Sequence, residues 1–256
     1  MTVLEVTGLT KAFGGVHAVN GVSFTVAAGE LLALVGPNGA GKTTCFNMLN
    51  GQIPPDAGEV RLNGTSLRGK SPRRIWRLGV GRTFQITATF GSMTVLENIQ
   101  MVLLSHHRRL FDFWGRAARR HIAEGMALLE RVGMASQADR TCGVLAYGDL
   151  KRVELAMALA SEPCLLLMDE PTAGMAPRER IELMALTAEL VRERNIAVLF
   201  TEHDMDVVFA YADRILVLAR GVLIADGSAE TIRDNPEVQQ VYLGTGKTST
   251  RAGARP

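Results

Sequence analysis

The chain has 256 residues, of which 47% are hydrophobic, 21% charged and only 5% aromatic, with a net charge of +2. That length accommodates about one to two domains around a core that needs no staple, and the profile excludes a disordered or fibrous protein. The small net charge lacks the concentrated basic excess of a nucleic-acid binder, so no nucleic-acid partner is expected.

At the N-terminus, "MTVLEVTGLTKAFGG" lacks the positive start and apolar block of a secretory signal, so a cytosolic location is expected. The β-type runs "LEVTGL", "VSFTV" and "GEVRLNG" are separated by glycine turns and predict a small antiparallel sheet, with "KAFGGVHAVN" as a loop between them. "LLALV", Leu31 to Val35, reads as a buried strand that leads through a glycine loop into a helix over Lys42 to Asn50. Strand, loop and helix in that order make the βα unit of a parallel sheet. From about Met93 to Val144 the pattern is amphipathic helix with many arginines, a helical insertion without strand candidates. Strands return in "CLLLMDE" and "IAVLFTEH", joined by the helical "PRERIELMALTAELVRER" as a right-handed crossover. The sheet is therefore expected to be parallel and mostly buried. "RILVLARGVLIADG" predicts a terminal hairpin and "GTGKTSTRAGARP" a solvated tail. No window approaches eighteen apolar residues, so action at a membrane would run through a partner. Three cysteines, Cys45, Cys142 and Cys164, and five histidines, scattered apart from His106 and His107, lack metal-ligand spacing.

"GPNGAGKTT" comprises Gly36, Pro37, Asn38, Gly39, Ala40, Gly41, Lys42, Thr43 and Thr44, and fits G-x-x-x-x-G-K-[ST] between a predicted strand and a predicted helix. Glycines there let backbone N–H groups wrap phosphates, and the helix N-terminus adds a positive dipole end. Lys42 would reach the β- and γ-phosphates of a nucleotide, and Thr43 would ligate Mg²⁺. "LLLMDE" sets Asp169 and Glu170 at the C-terminal end of a buried strand, where open α/β sheets bind ligands. Asp169 would hold Mg²⁺ through water and Glu170 would polarise the attacking water. Adjacent acids on a strand face opposite sides, which suits two distinct roles.

With these motifs the chain resembles the nucleotide-binding subunit of an ABC transporter over about residues 3 to 244. The resemblance implies an α/β P-loop NTPase with a RecA-like core of mainly parallel sheet, an N-terminal antiparallel β subdomain and an α-helical subdomain. It implies one ABC ATPase domain over residues 1–247, with the helical subdomain inserted at about 90–160, and a flexible tail at 248–256. Phe13 matches the aromatic that stacks on adenine. Gln85 in "RTFQ" matches the glutamine that senses Mg²⁺ and water, and His203 in "FTEHD" the switch histidine on the γ-phosphate. "LAYGD", Leu145, Ala146, Tyr147, Gly148 and Asp149, matches the signature segment that reaches the ATP held by a partner subunit. The catalytic set implied is Glu170, His203, Lys42 and Gln85; the metal set is Thr43, Gln85 and Asp169.

Two positions depart from the family pattern. Ala146 stands where the more usual L-S-G-G-Q carries a serine, and Ala176 in "TAGMAP" where an acid or amide often bridges the subunits. The backbone N–H of Gly148 and a helix beginning near Asp149 would still face a phosphate. Together the two alanines point to a heterodimer whose partner carries a fuller signature, with a homodimer as the other arrangement. Residues 105 to 121, "SHHRRLFDFWGRAARRH", read either as the solvated face of an insertion helix or as a contact with lipid or a membrane partner. Cys45 after the phosphate loop reads as an inert small apolar residue.

"GRTFQITATFGSMTVLENI", "LAYGDLKRVELA", "TEHDMDVVFAYADRILVL" and "IRDNPEVQQVYLG" resemble one ATPase subunit of the importers for branched-chain and related hydrophobic amino acids. The resemblance implies transmembrane permease subunits as partners, a soluble substrate-binding protein acting indirectly, and a peripheral place on the cytoplasmic face of the cell membrane. The competing expectations are a soluble ABC-type ATPase acting on nucleic acid or ribosomes, and a catalytically weak regulatory cassette.

Overall fold

The computed structural model describes residues 1–83, 89–107 and 121–243. Gln85, most of the basic aromatic stretch and the tail lie outside the described residues.

Two long strands open the chain, β1 (Thr2–Phe13) and β2 (Val16–Ala27), paired antiparallel up to Phe13 and Val16. The segment expected as a loop over residues 11 to 20 is therefore the end of a hairpin. Gly14 and Gly15, both at positive φ, make the two-residue turn whose twist matches the flanking strands. Register shifts along the pair break the period-2 alternation that marks a strand in sequence. With β4 (Ala57–Leu62) and β5 (Thr65–Ser66) this hairpin forms a four-stranded sheet in the order β2-β1-β4-β5.

The second sheet has six strands in the order β10-β9-β3-β8-β7-β6. Its members are β3 (Leu31–Val35), β6 (Val80–Thr83), β7 (Leu165–Asp169), β8 (Ala197–Thr201), β9 (Arg214–Ala219) and β10 (Val222–Gly227). All pairs are parallel except β9 with β10, which is the expected terminal hairpin. The short strand β6 was not anticipated.

Every residue of β3, β7 and β8 is buried. Alternation along β3 divides the interior into two cores. Leu32 and Leu34 join Phe46 of α1 (Lys42–Leu49) and the inner face of the antiparallel sheet. Leu31, Ala33 and Val35 face the helical side. There lie α3 (Val95–His106), α4 (Ile122–Arg131), α5 (Tyr147–Leu159) and α6 (Pro177–Arg194), contributing Ile99, Leu129, Val153 and Met184 to one continuous cluster. The helical insertion is thus not an isolated appendage; its apolar stripe is part of the sheet's own core. Thr94 opens α3 with a reciprocal cap: its hydroxyl accepts from the Glu97 N–H at 3.1 Å and the Glu97 carboxylate accepts from the Thr94 N–H at 2.8 Å. The remaining helices are α2 (Pro72–Arg77), α7 (Met205–Tyr211), α8 (Ala229–Arg233) and α9 (Pro236–Leu243).

Candidate functional site

The parallel strands β3, β7 and β8 end on one edge of the sheet, and the loops that follow them carry most of the candidate residues. The loop after β3 is held by backbone crowding. A Cβ on Gly36 would strike the Leu218 carbonyl on β9, and one on Gly41 would strike the Ala18 carbonyl on β2. Both positions also have φ values that disfavour other residues. Their glycines therefore serve the close seating of the loop between strands, while α1 starts at Lys42 immediately beyond.

Lys42 is buried, and its Nζ donates to the carbonyls of Gly36 at 2.6 Å and Pro37 at 3.2 Å. Burial draws its pKa below the ordinary lysine range, while the charges of Glu170 and Asp169 oppose that shift. Thr43 is exposed on the first turn of α1.

Asp169 is the last residue of β7, opposite Thr201 on β8. The Thr201 hydroxyl donates to Asp169 Oδ1 at 2.8 Å and accepts from the Glu170 N–H at 3.1 Å, so one buried side chain orients both acids. On its other side, Arg82 Nη2 of β6 lies 3.4 Å from Asp169 Oδ2, and Nη1 of the same guanidinium reaches Asn47 Oδ1 at 3.1 Å. Glu170 lies beyond the strand with φ 49°, in the left-handed region. Its separation from Asp169 therefore comes from a backbone reversal and not from the strand alternation expected. Such a conformation in a bulky residue persists only where its surroundings enforce it. Glu170 Oε1 lies 2.8 Å from Nε2 of His203, whose side chain is about half exposed.

Glu202, between Thr201 and His203, is also buried. Its Oε1 accepts from both the N–H and the hydroxyl of Thr172, at 2.8 and 2.7 Å, and Oε2 accepts from the His203 N–H at 3.2 Å. This carboxylate ties the loop after β7 to the loop after β8. Thr201, Glu202 and Arg82 were not singled out from the sequence, because a side chain that orients a neighbour across strands leaves no spacing pattern along the chain.

Phe13 sits at the tip of the β1–β2 hairpin, 49% exposed, with the Lys11 ammonium 5.6 Å from its ring centre. Residues 145 to 149 lie on the helical side. The helix α5 begins at Tyr147, two residues earlier than expected, with Ala146 as its N-cap and no side-chain hydrogen bond there. This segment packs on the loop after β7 and the first turn of α6: Tyr147 lies against Gly174 and Gly148 against the Glu179 carboxylate. Glu179 in turn accepts from the backbone N–H of Ala176 at 3.1 Å, so one carboxylate touches both Ala176 and Gly148 of the helix that Ala146 caps. Cys45 is fully buried and its thiol is pushed up to about 12, which agrees with an inert residue. A further concavity of about 380 Å³ opens between α2, β6, α3 and α5, with Trp76, Val102 and Met157 in its wall.

Phosphate loop, acidic strand end and histidine on the C-terminal edge of a parallel sheet, beside a helical layer, define the ATP-binding cassettes of ABC transporters. A family model described as ABC transporter matches residues 19–173. The chain belongs to this family and is an ATP-hydrolysing subunit of an ABC transporter. A second model, described as branched-chain amino acid ATP-binding cassette transporter, matches residues 222–248. The chain is 44% identical over 252 residues to the high-affinity branched-chain amino acid transport ATP-binding protein BraF of Pseudomonas aeruginosa, with 94% of this chain and 98% of that protein covered. It is 41% identical over 252 residues to the LivG protein of the same description from Escherichia coli, with the same coverage. Among solved structures, the ADP conformation of an ATP-binding cassette of an ABC transporter superposes with a TM-score of 0.85 at 30% identity, covering 95% of this chain and 99% of that one. A nucleotide-free cassette from an ABC transporter gives 0.83 at 30% identity, covering 94% and 99%. Among the described residues no helix is long and apolar enough to cross a membrane.

Proposed function

We propose that this chain energises uptake of branched-chain or related hydrophobic amino acids from the cytoplasmic face of the membrane, bound to permease subunits and paired with a second ATPase subunit. The 2.8 Å contact of His203 with Glu170 beside the phosphate loop carries the reading of a hydrolytic site. The loop from Gly36 to Thr44 takes the phosphates, with Lys42 as the cation, and Phe13 stacks on the adenine. Glu170 polarises the attacking water and His203 holds the γ-phosphate, with Gln85 as the residue that senses Mg²⁺ and water. Phosphoryl transfer needs mainly such positioning and charge stabilisation.

Thr43 and Asp169 offer hard oxygen donors, which suit Mg²⁺. The hydrogen bond from Thr201 to one Asp169 oxygen supports a carboxylate held ready for that ion. When bound, Mg²⁺ supplies positive charge against the phosphate oxygens.

In the assembled pair, Leu145 to Asp149 meet the nucleotide held by the other ATPase subunit through the Gly148 N–H and the start of α5. Ala146 and Ala176 favour a heterodimer. The test is reconstitution with permease subunits and the soluble binding protein. ATP turnover stimulated when that protein is loaded with leucine or valine is the expected result. No stimulation by any hydrophobic amino acid, or retention of the chain on RNA at physiological salt, would sink the importer reading. Strongly cooperative turnover by the isolated chain, at the assembled transporter's rate, would sink the heterodimer.

A further inference from the structure

His107 terminates α3 and His121 caps the start of α4, fourteen positions apart in sequence yet stacked in space. Their imidazole rings are nearly parallel, 5° apart in plane, with centres separated by 4.7 Å. Glu124 stands one turn beyond His121, on the same face of α4. Its Oε2 lies 2.8 Å from His121 Nδ1 and its Oε1 3.5 Å from His107 Nε2. Taking one ligand atom from each residue, the three lie within 4.8 Å of one another. His121 also holds φ 58°, a left-handed conformation that turns its ring toward the cluster at some backbone cost.

We propose that His107, His121 and Glu124 form a binding site for a divalent transition metal, with Zn²⁺ as the fitting ion. Two imidazoles and one carboxylate suit zinc, copper or nickel, whereas magnesium and calcium prefer oxygen donors alone. Zinc bonds of about 2.0 to 2.2 Å in tetrahedral geometry put neighbouring donors roughly 3.4 Å apart. One Glu124 oxygen already sits near that spacing from His107 Nε2, and the other has to draw back by about 0.6 Å from His121 Nδ1. The stacked rings have to tilt from parallel so that both nitrogens aim at one ion. Glu124 supplies a carboxylate oxygen beside the two imidazoles, a hard anionic donor that suits the charge of the ion. The His107 and Glu124 side chains are 40% and 44% exposed, which leaves a path for the ion and a water in the fourth position. Bound metal would fasten the end of α3 to the start of α4, well apart in role from the nucleotide residues.

The experiment uses the full chain without a polyhistidine tag, stripped by chelator and titrated with Zn²⁺ by calorimetry. One Zn²⁺ bound per chain is expected, with Co²⁺ substitution giving the visible absorption of a tetrahedral ion. His107→Gln and His121→Asn should each weaken uptake by about tenfold or more. Asparagine tolerates the left-handed backbone at 121, so that variant keeps the fold. His106→Gln should leave Zn²⁺ uptake unchanged. Absence of saturable uptake, or uptake undiminished by the His107 and His121 substitutions, overturns the proposal.

Discussion

Replacing Glu170 by Gln keeps the side chain's length and its reach to His203 while removing the negative charge. ATP binding is expected to persist and hydrolysis to fall by about a hundredfold or more, the scale on which general bases contribute. Near-normal turnover in the variant would remove Glu170 from its role. Thr201→Val tests the orienting hydroxyl. It deletes the donor to Asp169 and one acceptor for the Glu170 N–H in a fully buried position. The expected cost is about 1 to 3 kcal/mol of stability, read as a lower melting temperature, together with a fall in kcat greater than any rise in KM. At Cys45, fully buried with its thiol pushed up to about 12, alkylation of the native chain at pH 8 should be far slower than at half-buried Cys164, as peptide mass spectrometry can measure.

At the scale of elements, the start of α5 separates two roles that one substitution can test. Ala146 occupies an N-cap position with extended backbone and offers no oxygen to the first-turn amides. Ala146→Ser supplies one and should stabilise the isolated chain by about 0.5 to 2 kcal/mol. A serine that also bonds a phosphate across the dimer adds about 1.5 to 3 kcal/mol there, roughly tenfold or more in ATP-driven association. Thermal melting without nucleotide reads the first effect. Light scattering with ATP, in the Glu170→Gln background, reads the second. Which elements were readable from the sequence follows from the same local physics. β3 and its glycine loop announce themselves because an apolar run and a fixed glycine spacing meet at one boundary. The hairpin around Gly14 and Gly15 was hidden by register shifts that scramble alternation, and β6 by its four-residue length. The early start of α5 was hidden because its cap has no polar side chain. Arg82, Thr201 and Glu202 act across strands, and His107 meets His121 only after α3 and α4 pack together.

Across the whole molecule, β3 and β8 lie inside a sheet covered on both faces, by the antiparallel sheet with α1 on one side and by helices on the other. No backbone amide of these strands reaches solvent unless both cores separate, so a local fluctuation does not uncover them. By contrast, α4 turns most of its residues outward. In deuterated buffer the amides of Leu31–Val35 and Ala197–Thr201 should therefore be the last to exchange, at a rate set by global unfolding, with Ile122–Arg131 far ahead of them. Mass spectrometry of quenched peptides measures that order. The strands that lead into the Gly36–Thr44 loop and into His203 would thus keep the longest memory of their protons, while the outer helices turn over beneath the same fold.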